Sequence, residues 1–170
     1  MCIFILRKNA MGTYKLVLDD DIGYDFTLIA IHGSLEPYYL AFLLNKYLNL
    51  QLARCRQDVQ MDYGEDTVPF AFYEFEDKAN YRTYQLIENR TRFAKKAKSQ
   101  GLFGGQNTTV VSFQFMQELP KVDYLIRVVE DGNAFAKAKT ITTLNQIPQI
   151  VTAYEVMVET LKAKENLIFE

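Results

Sequence analysis

Phe26-Thr27-Leu28-Ile29-Ala30-Ile31-His32, then Gly33-Ser34-Leu35-Glu36-Pro37, then Leu40, Leu43, Leu44 and Tyr47: this stretch decides the fold class. Its first seven residues form an apolar run of strand length. Gly33 and Ser34 break the run, and Ser34 carries the kind of side chain that caps a helix N-terminus. Pro37 suits a first helical turn, where a missing N–H costs nothing. Leu40, Leu43, Leu44 and Tyr47 fall at i, i+3, i+4 and i+7, which predicts a helix over 35–48 with those four on its buried face. Residues 50–59 then read as a strand and close a strand–helix–strand unit.

The pattern returns near the carboxy end. Residues 122–129 read as a strand, Asp131-Gly132-Asn133 as a turn with Asn133 a candidate cap, and Phe135, Ala138, Ile141 and Leu144 as a broad helical stripe. Pro148 restricts Ile147 and ends that helix, and 150–158 read as another strand, placing Tyr154 among buried neighbours. Leu44-Asn45 and Leu144-Asn145 both stand near helix ends, a dipeptide match that hints at duplication. Between the units, Asp62-Tyr63-Gly64-Glu65-Asp66 is a turn, and Phe70, Phe72, Tyr73 and Phe75 mark an aromatic strand. Residues 81–88 are its hairpin partner. The basic segment 89–99 reads as partly helical, 101–108 as a glycine-rich loop, and 110–115 as a strand. Tyr14 to Leu18 has the alternation of a short edge strand. The apolar tail ending Leu167-Ile168-Phe169 is expected to pack on the core. The fold class expected is α+β: a mainly antiparallel sheet with helices on one face, built from ferredoxin-like or ACT-like strand–helix–strand units. No Pro/Ser/Gly-rich linker divides the chain, so 11–170 form one domain. Residues 1–10 are expected to be a non-native or disordered extension ahead of a start at Met11.

Composition removes several classes of function. The 170 residues are 49% hydrophobic and 24% charged, values of a folded globular chain. A formal net charge of −2 provides no global attraction for nucleic acid or an anionic membrane. No apolar run approaches the roughly 20 residues that span a bilayer, so no membrane association is expected. Cys2 and Cys55 read as free thiols of a reducing, cytoplasmic compartment. With a single histidine they are too few for a structural zinc site. No metal or cofactor is expected.

Two candidate sites stand out. His32, Gly33 and Ser34 lie at a strand-to-helix turn, where backbone N–H groups and the helix dipole favour an anionic group of a small-molecule effector. Arg90, Arg92, Lys95, Lys96 and Lys98, with Tyr84 and Phe93 near them, combine phosphate-binding charge with aromatic platforms, as contact with single-stranded RNA requires. The overall acidity disfavours nucleic acid. Asp123 and Arg127 share a strand face about 13 Å apart, so each needs a partner elsewhere, an ion pair to another element being the expected one. Asp19, Asp20, Asp21 and Asp25 lack the ligand spacing and position-six glycine of a calcium loop. Gly101-Leu102-Phe103-Gly104-Gly105 lacks the Lys-Ser/Thr ending of a phosphate-binding loop. No catalytic residue is assigned.

Met116-Gln117-Glu118-Leu119-Pro120-Lys121-Val122-Asp123-Tyr124 resembles the signature of the bacterial IPExxxVDY family. Glu118, Val122, Asp123 and Tyr124 match, while Met116 and Gln117 replace the Ile and Pro. Ser34-Leu35-Glu36, Leu40-Ala41 and Leu44-Asn45 are similar to the family's amino-terminal helix. Ile147-Pro148, Thr152-Ala153-Tyr154, Leu161-Lys162 and Asn166-Leu167-Ile168-Phe169 are similar to its carboxy-terminal signature. The resemblance implies a small cytoplasmic bacterial protein and supplies no activity or cofactor. The expectations are, first, a non-catalytic binding or regulatory module, with a homodimer left open; second, an RNA-associated protein; third, an enzyme without a recognisable motif.

Overall fold

The computed structural model describes residues 26–96, 108–131 and 134–169. The extension 1–10, Cys2, the strand at 14–18, the acidic cluster Asp19, Asp20, Asp21 and Asp25, Lys98, the loop at 101–107 and Asn133 lie outside them. The elements in chain order are β1 (Phe26–His32), α1 (Pro37–Leu48), β2 (Ala53–Arg54), β3 (Val59–Tyr63), β4 (Asp66–Phe70), β5 (Phe72–Asp77), β6 (Arg82–Glu88), β7 (Arg90–Lys96), β8 (Thr108–Gln114), β9 (Tyr124–Glu130), α2 (Lys137–Asn145) and β10 (Thr152–Val156). Two short 3-10 turns, Val158–Thr160 and Lys164–Leu167, follow.

Six strands form one sheet in the order β10-β1-β9-β6-β5-β2, with every neighbouring pair antiparallel. β3–β4 and β7–β8 are separate hairpins. The pleat sends alternate side chains to opposite faces. Ile29 and Ile31 of β1 and Tyr124, Ile126 and Val128 of β9 join Leu40, Leu43 and Leu44 of α1 and Leu144 of α2 in one core. Leu28, Ala30 and Leu125 face the other way, where Val68 and Phe70 of a hairpin, Phe115, Met116 and the tail residues Leu161 and Leu167 cover them. This is a mainly antiparallel α+β domain with both helices on one face. Among the described residues no helix is long and apolar enough to cross a membrane.

Several local expectations are corrected. α1 starts at Pro37 with Glu36 as N-cap and no side-chain cap. Ser34 is not that cap, because a tight turn, Leu35 N–H to Gly33 C=O at 2.9 Å, intervenes. Tyr47 is 43% exposed, since in the last turn Leu48 takes the inward position. The strand at 50–59 shrinks to Ala53–Arg54, as the chain bends where Arg54 grips Asp58 four residues on. The aromatic strand breaks at Ala71, β4 pairing with β3 and β5 with β6. The basic segment is strand β7, not partly helical: Arg90, Arg92 and Ala94 are exposed and alternate with half-buried Thr91 and Phe93, the period-2 pattern of a strand. The α2 N-cap is Ala136 rather than Asn133. Tyr154 is 42% exposed, its ring stacked on His32 at 5.6 Å, because it lies on β10, a sheet edge.

The Leu-Asn dipeptides have a physical explanation. Leu44 and Leu144 are both fully buried. Asn45 donates from Nδ2 to the Leu52 carbonyl at 3.0 Å and accepts the Leu52 amide at 2.8 Å. Asn145 does the same to Ala153, with both bonds at 2.8 Å. Each helix end is thereby tied to the chain that follows it by the same two-bond clamp.

Glu118 ties down the tail. Its exposed carboxylate accepts the amides of Lys162 (2.8 and 2.9 Å) and Ala163 (2.8 Å), and these two donor amides hold its pKa below the ordinary glutamate value. A depressed carboxyl stabilises the fold above its unfolded pKa of about 4.3 and loses that contribution as pH falls through the folded value. The amide resonances of Lys162 and Ala163 should therefore titrate with a midpoint below about 4.3 and stop titrating in Glu118→Gln; a midpoint at or above that value would show that the tie does not form.

Leu44→Ala should cost about 2–5 kcal/mol in denaturant melts, the range for emptying a fully buried leucine site. Tyr154→Ala, at an exposed edge, should cost under about 1 kcal/mol. Equal losses at the two positions would contradict this division of inside and outside.

Candidate functional site

The turn between β1 and α1 opens onto a cavity of about 640 Å³. Its floor and walls come from four places: the turn itself with the start of α1, the β2 region, the β4–β5 junction with Tyr73, and the β6–β7 junction. Asp123 and Tyr124 complete it.

The turn is shaped by close approach. Gly33 is buried, and a Cβ there would meet the Gln149 carbonyl oxygen at 3.1 Å. Its amide donates to Asp123 Oδ2 at 2.9 Å. Two residues later the Tyr124 hydroxyl donates to the Leu35 carbonyl. Burial is the main reason the Tyr124 hydroxyl is held well above its ordinary pKa, with Glu88 and Glu36 adding to the effect, so it stays a donor. Thus Val122, Asp123 and Tyr124 divide their labour: Val122 is buried in the core, and the other two fasten the β1–α1 turn.

Behind these stands Asn89, fully buried between β6 and β7. Its Nδ2 donates to the Leu119 (3.0 Å) and Val122 (2.8 Å) carbonyls, and its Oδ1 accepts the Met116 amide at 2.8 Å. Its own amide donates to the Asp123 carbonyl, and its carbonyl accepts the Phe115 amide, both at 2.8 Å. One residue therefore sets the path of 115–123.

Of the expected ligand residues, Gly33 and Ser34 line the cavity and His32 does not. The His32 ring instead lies against Tyr154, Nε2 to hydroxyl at 3.3 Å. Of the expected nucleic-acid residues, Arg90 and Arg92 are on the cavity wall. Lys95 and Lys96 belong to β7 by their backbone, their side chains and Lys98 lying outside the described residues. The structure brings part of each candidate set together in one place.

Asp123 finds its ion pair across to Arg90 (Nη1 to Oδ1, 3.4 Å). Arg127 takes no carboxylate among the described residues. It sits between the rings of Phe26 (4.5 Å) and Phe169 (5.6 Å) and donates to Gln85 Oε1 at 2.6 Å. Sequence reasoning missed Arg54, Tyr73, Glu88 and Asn89. Arg54 donates to both Asp58 oxygens and to the Tyr73 hydroxyl. Glu88 is half-buried, and burial raises its carboxyl pKa against the hydrogen bonds from Ala71 and Thr91. Only the end of a strand run at Glu88 could have signalled it. Outside the cavity, burial also raises the pKa of the free Cys55 thiol. No group of three or more His, Cys, Asp or Glu among the described residues could hold a metal ion.

Comparison with known proteins leaves the site to be judged on this geometry: no protein-family model, no curated protein and no solved structure matches the chain.

Proposed function

We propose that the protein is a non-catalytic binding or regulatory module whose small-molecule effector occupies the cavity at the β1–α1 turn. The supporting observation is the cavity itself. Its volume of about 640 Å³ falls within the roughly 300–1,000 Å³ of small-molecule pockets, and its walls carry charged groups drawn from four separate parts of the chain. The groups that shape it, Asp123 and Tyr124, spend their hydrogen bonds on backbone, which suits a preformed receptor rather than reacting chemistry. The single histidine is engaged with Tyr154 on another surface. The resemblance to the bacterial IPExxxVDY family supports a cytoplasmic setting and fits the site, since its Asp-Tyr pair builds the turn. The two crossing units β1–α1–β2 and β9–α2–β10 support an elaborated ferredoxin-like or ACT-like plan, a β5–β6 hairpin standing between β9 and β2.

RNA binding is the weaker reading. Arg90 is taken by Asp123 and the Pro120 carbonyl, so of the two arginines of the basic segment described on the wall, Arg92 is the one left for a phosphate.

The small-molecule fraction of a bacterial extract should raise the melting temperature of the wild-type protein by several degrees. Ligand at about 100 times Kd adds roughly 2.7 kcal/mol, and each kcal/mol moves a domain of this size by roughly 2–4 °C. Ser34→Trp, at an exposed residue on the cavity lining, should remove the shift, and changing Lys95, Lys96 and Lys98 to Glu should not. The same shift in Ser34→Trp would move the ligand elsewhere. A salt-sensitive, sub-micromolar complex with single-stranded RNA would replace this reading with the other.

A further inference from the structure

We propose that the cavity at the β1–α1 turn takes a zwitterion, a free α-amino acid held by its ammonium at Glu36 and Glu88 and by its carboxylate at Arg92. The proposal rests on the cavity being a ligand site and adds the ligand's charge class. It follows from sorting the charges on the cavity wall by what already satisfies them.

Two of the three arginines are committed. Arg54 places Nε at 2.9 Å and Nη2 at 2.7 Å from Asp58, and Nη1 at 3.3 Å from the Tyr73 hydroxyl. Arg90 gives Nη2 to the Pro120 carbonyl at 3.0 Å and Nη1 to Asp123. Asp123 in turn spends its other oxygen on the Gly33 amide. These groups form a closed frame with no charge left over.

Three charged groups on the lining have no ion pair among the described residues. Arg92 is exposed and its side chain has no hydrogen bond or ion pair among the described residues. It stands two residues beyond Arg90 on the same side of β7, roughly 7 Å along the strand. Glu36, also exposed, has no basic partner among the described residues. Glu88 is half-buried; burial opposes its ionisation and the charge of Glu36 adds to that, against the Ala71 amide, the Thr91 side chain and the charge of Arg54. The two carboxyls therefore lie within each other's field, and a cation between them would relieve the repulsion.

The remaining groups select against singly charged ligands. A plain anion reaching Arg92 would enter a cavity lined by two carboxyls that have no ion pair among the described residues. A plain cation at Glu36 and Glu88 would leave Arg92 without a counter-charge. A molecule with both charges satisfies both ends, and a site built to pair each charge rejects an analogue that lacks one, since the abandoned group then has no partner. The Tyr73 and Tyr124 side chains, with Pro69 and Ala71, offer apolar wall for the amino acid's own side chain.

Isothermal titration calorimetry with the individual L-amino acids tests this, each alongside the amine that lacks its carboxylate and the acid that lacks its ammonium. At least one amino acid should bind, and its matched amine and acid should bind at least about tenfold more weakly, about 1.4 kcal/mol each. Arg92→Ala should weaken the amino acid about tenfold and leave the amine unchanged. Glu36→Gln should weaken the amino acid and leave the acid unchanged. Both positions are exposed, so unchanged melting temperatures should accompany the variants. An acid that binds as tightly as its amino acid would overturn the zwitterion assignment. If no amino acid binds, yet extract still stabilises wild type and not Ser34→Trp, the charge class is wrong and the cavity remains the ligand site. If extract also fails, the cavity reading falls with it.

Discussion

The carboxamide of Asn89 is the interaction on which the site depends. It is fully buried, and a buried amide without partners is costly. Here its side chain and backbone make five hydrogen bonds, all to residues 115–123. That segment has little regular structure of its own, running as turns between β8 and β9. Yet it delivers Glu118 to the tail and Asp123 and Tyr124 to the β1–α1 turn. Inside the segment two turn bonds, Leu119 N–H to Met116 C=O at 3.0 Å and Val122 N–H to Leu119 C=O at 3.1 Å, support the path that Asn89 anchors.

The same device recurs across the molecule. Asn45, Asn145, Glu118 and Asp123 each spend a short polar side chain on backbone groups far along the chain, at 7, 8, 44 and 90 residues' separation. Each satisfies N–H or C=O groups of loops, or of the β10 sheet edge, that would otherwise lack a partner. The apolar cores set which face of the sheet each element covers. These polar ties set where the loops go. Around one cavity, Arg92, Glu36 and Glu88 are left without an ion pair among the described residues.

The strand–helix–strand units were legible because their cores are written in local period. The run 26–32 and the stripe Leu40, Leu43 and Leu44 each lie inside a dozen residues, and both are buried as the spacing requires. The basic segment was not legible as a strand. Its partner begins at Thr108, and the charges of Arg90 and Arg92 hide the alternation carried by Thr91 and Phe93. Tyr154 misled in the opposite sense: apolar neighbours in sequence suggested burial, but an edge strand leaves its ring outside. One edge of the candidate site could be read from the turn at Gly33 and Ser34. Its opposite wall comes from Arg54 and Glu88, whose local context is an ordinary polar strand end, and from Tyr73, which reads as one aromatic among several in a strand.

By itself the sequence determined the class of fold, the two helices, most of the core, and the turn where the cavity opens, because hydrophobic periodicity and chain-breaking residues act over a few positions. Only the tertiary structure decided that Asp123 reaches Gly33 across ninety residues, that Arg90 and Arg92 face the same cavity as Ser34, and that His32 turns away from it toward Tyr154. Those outcomes depend on strand order and register. Both are set by which apolar faces and buried polar groups can be satisfied together, a condition on the whole chain that no short window of residues contains.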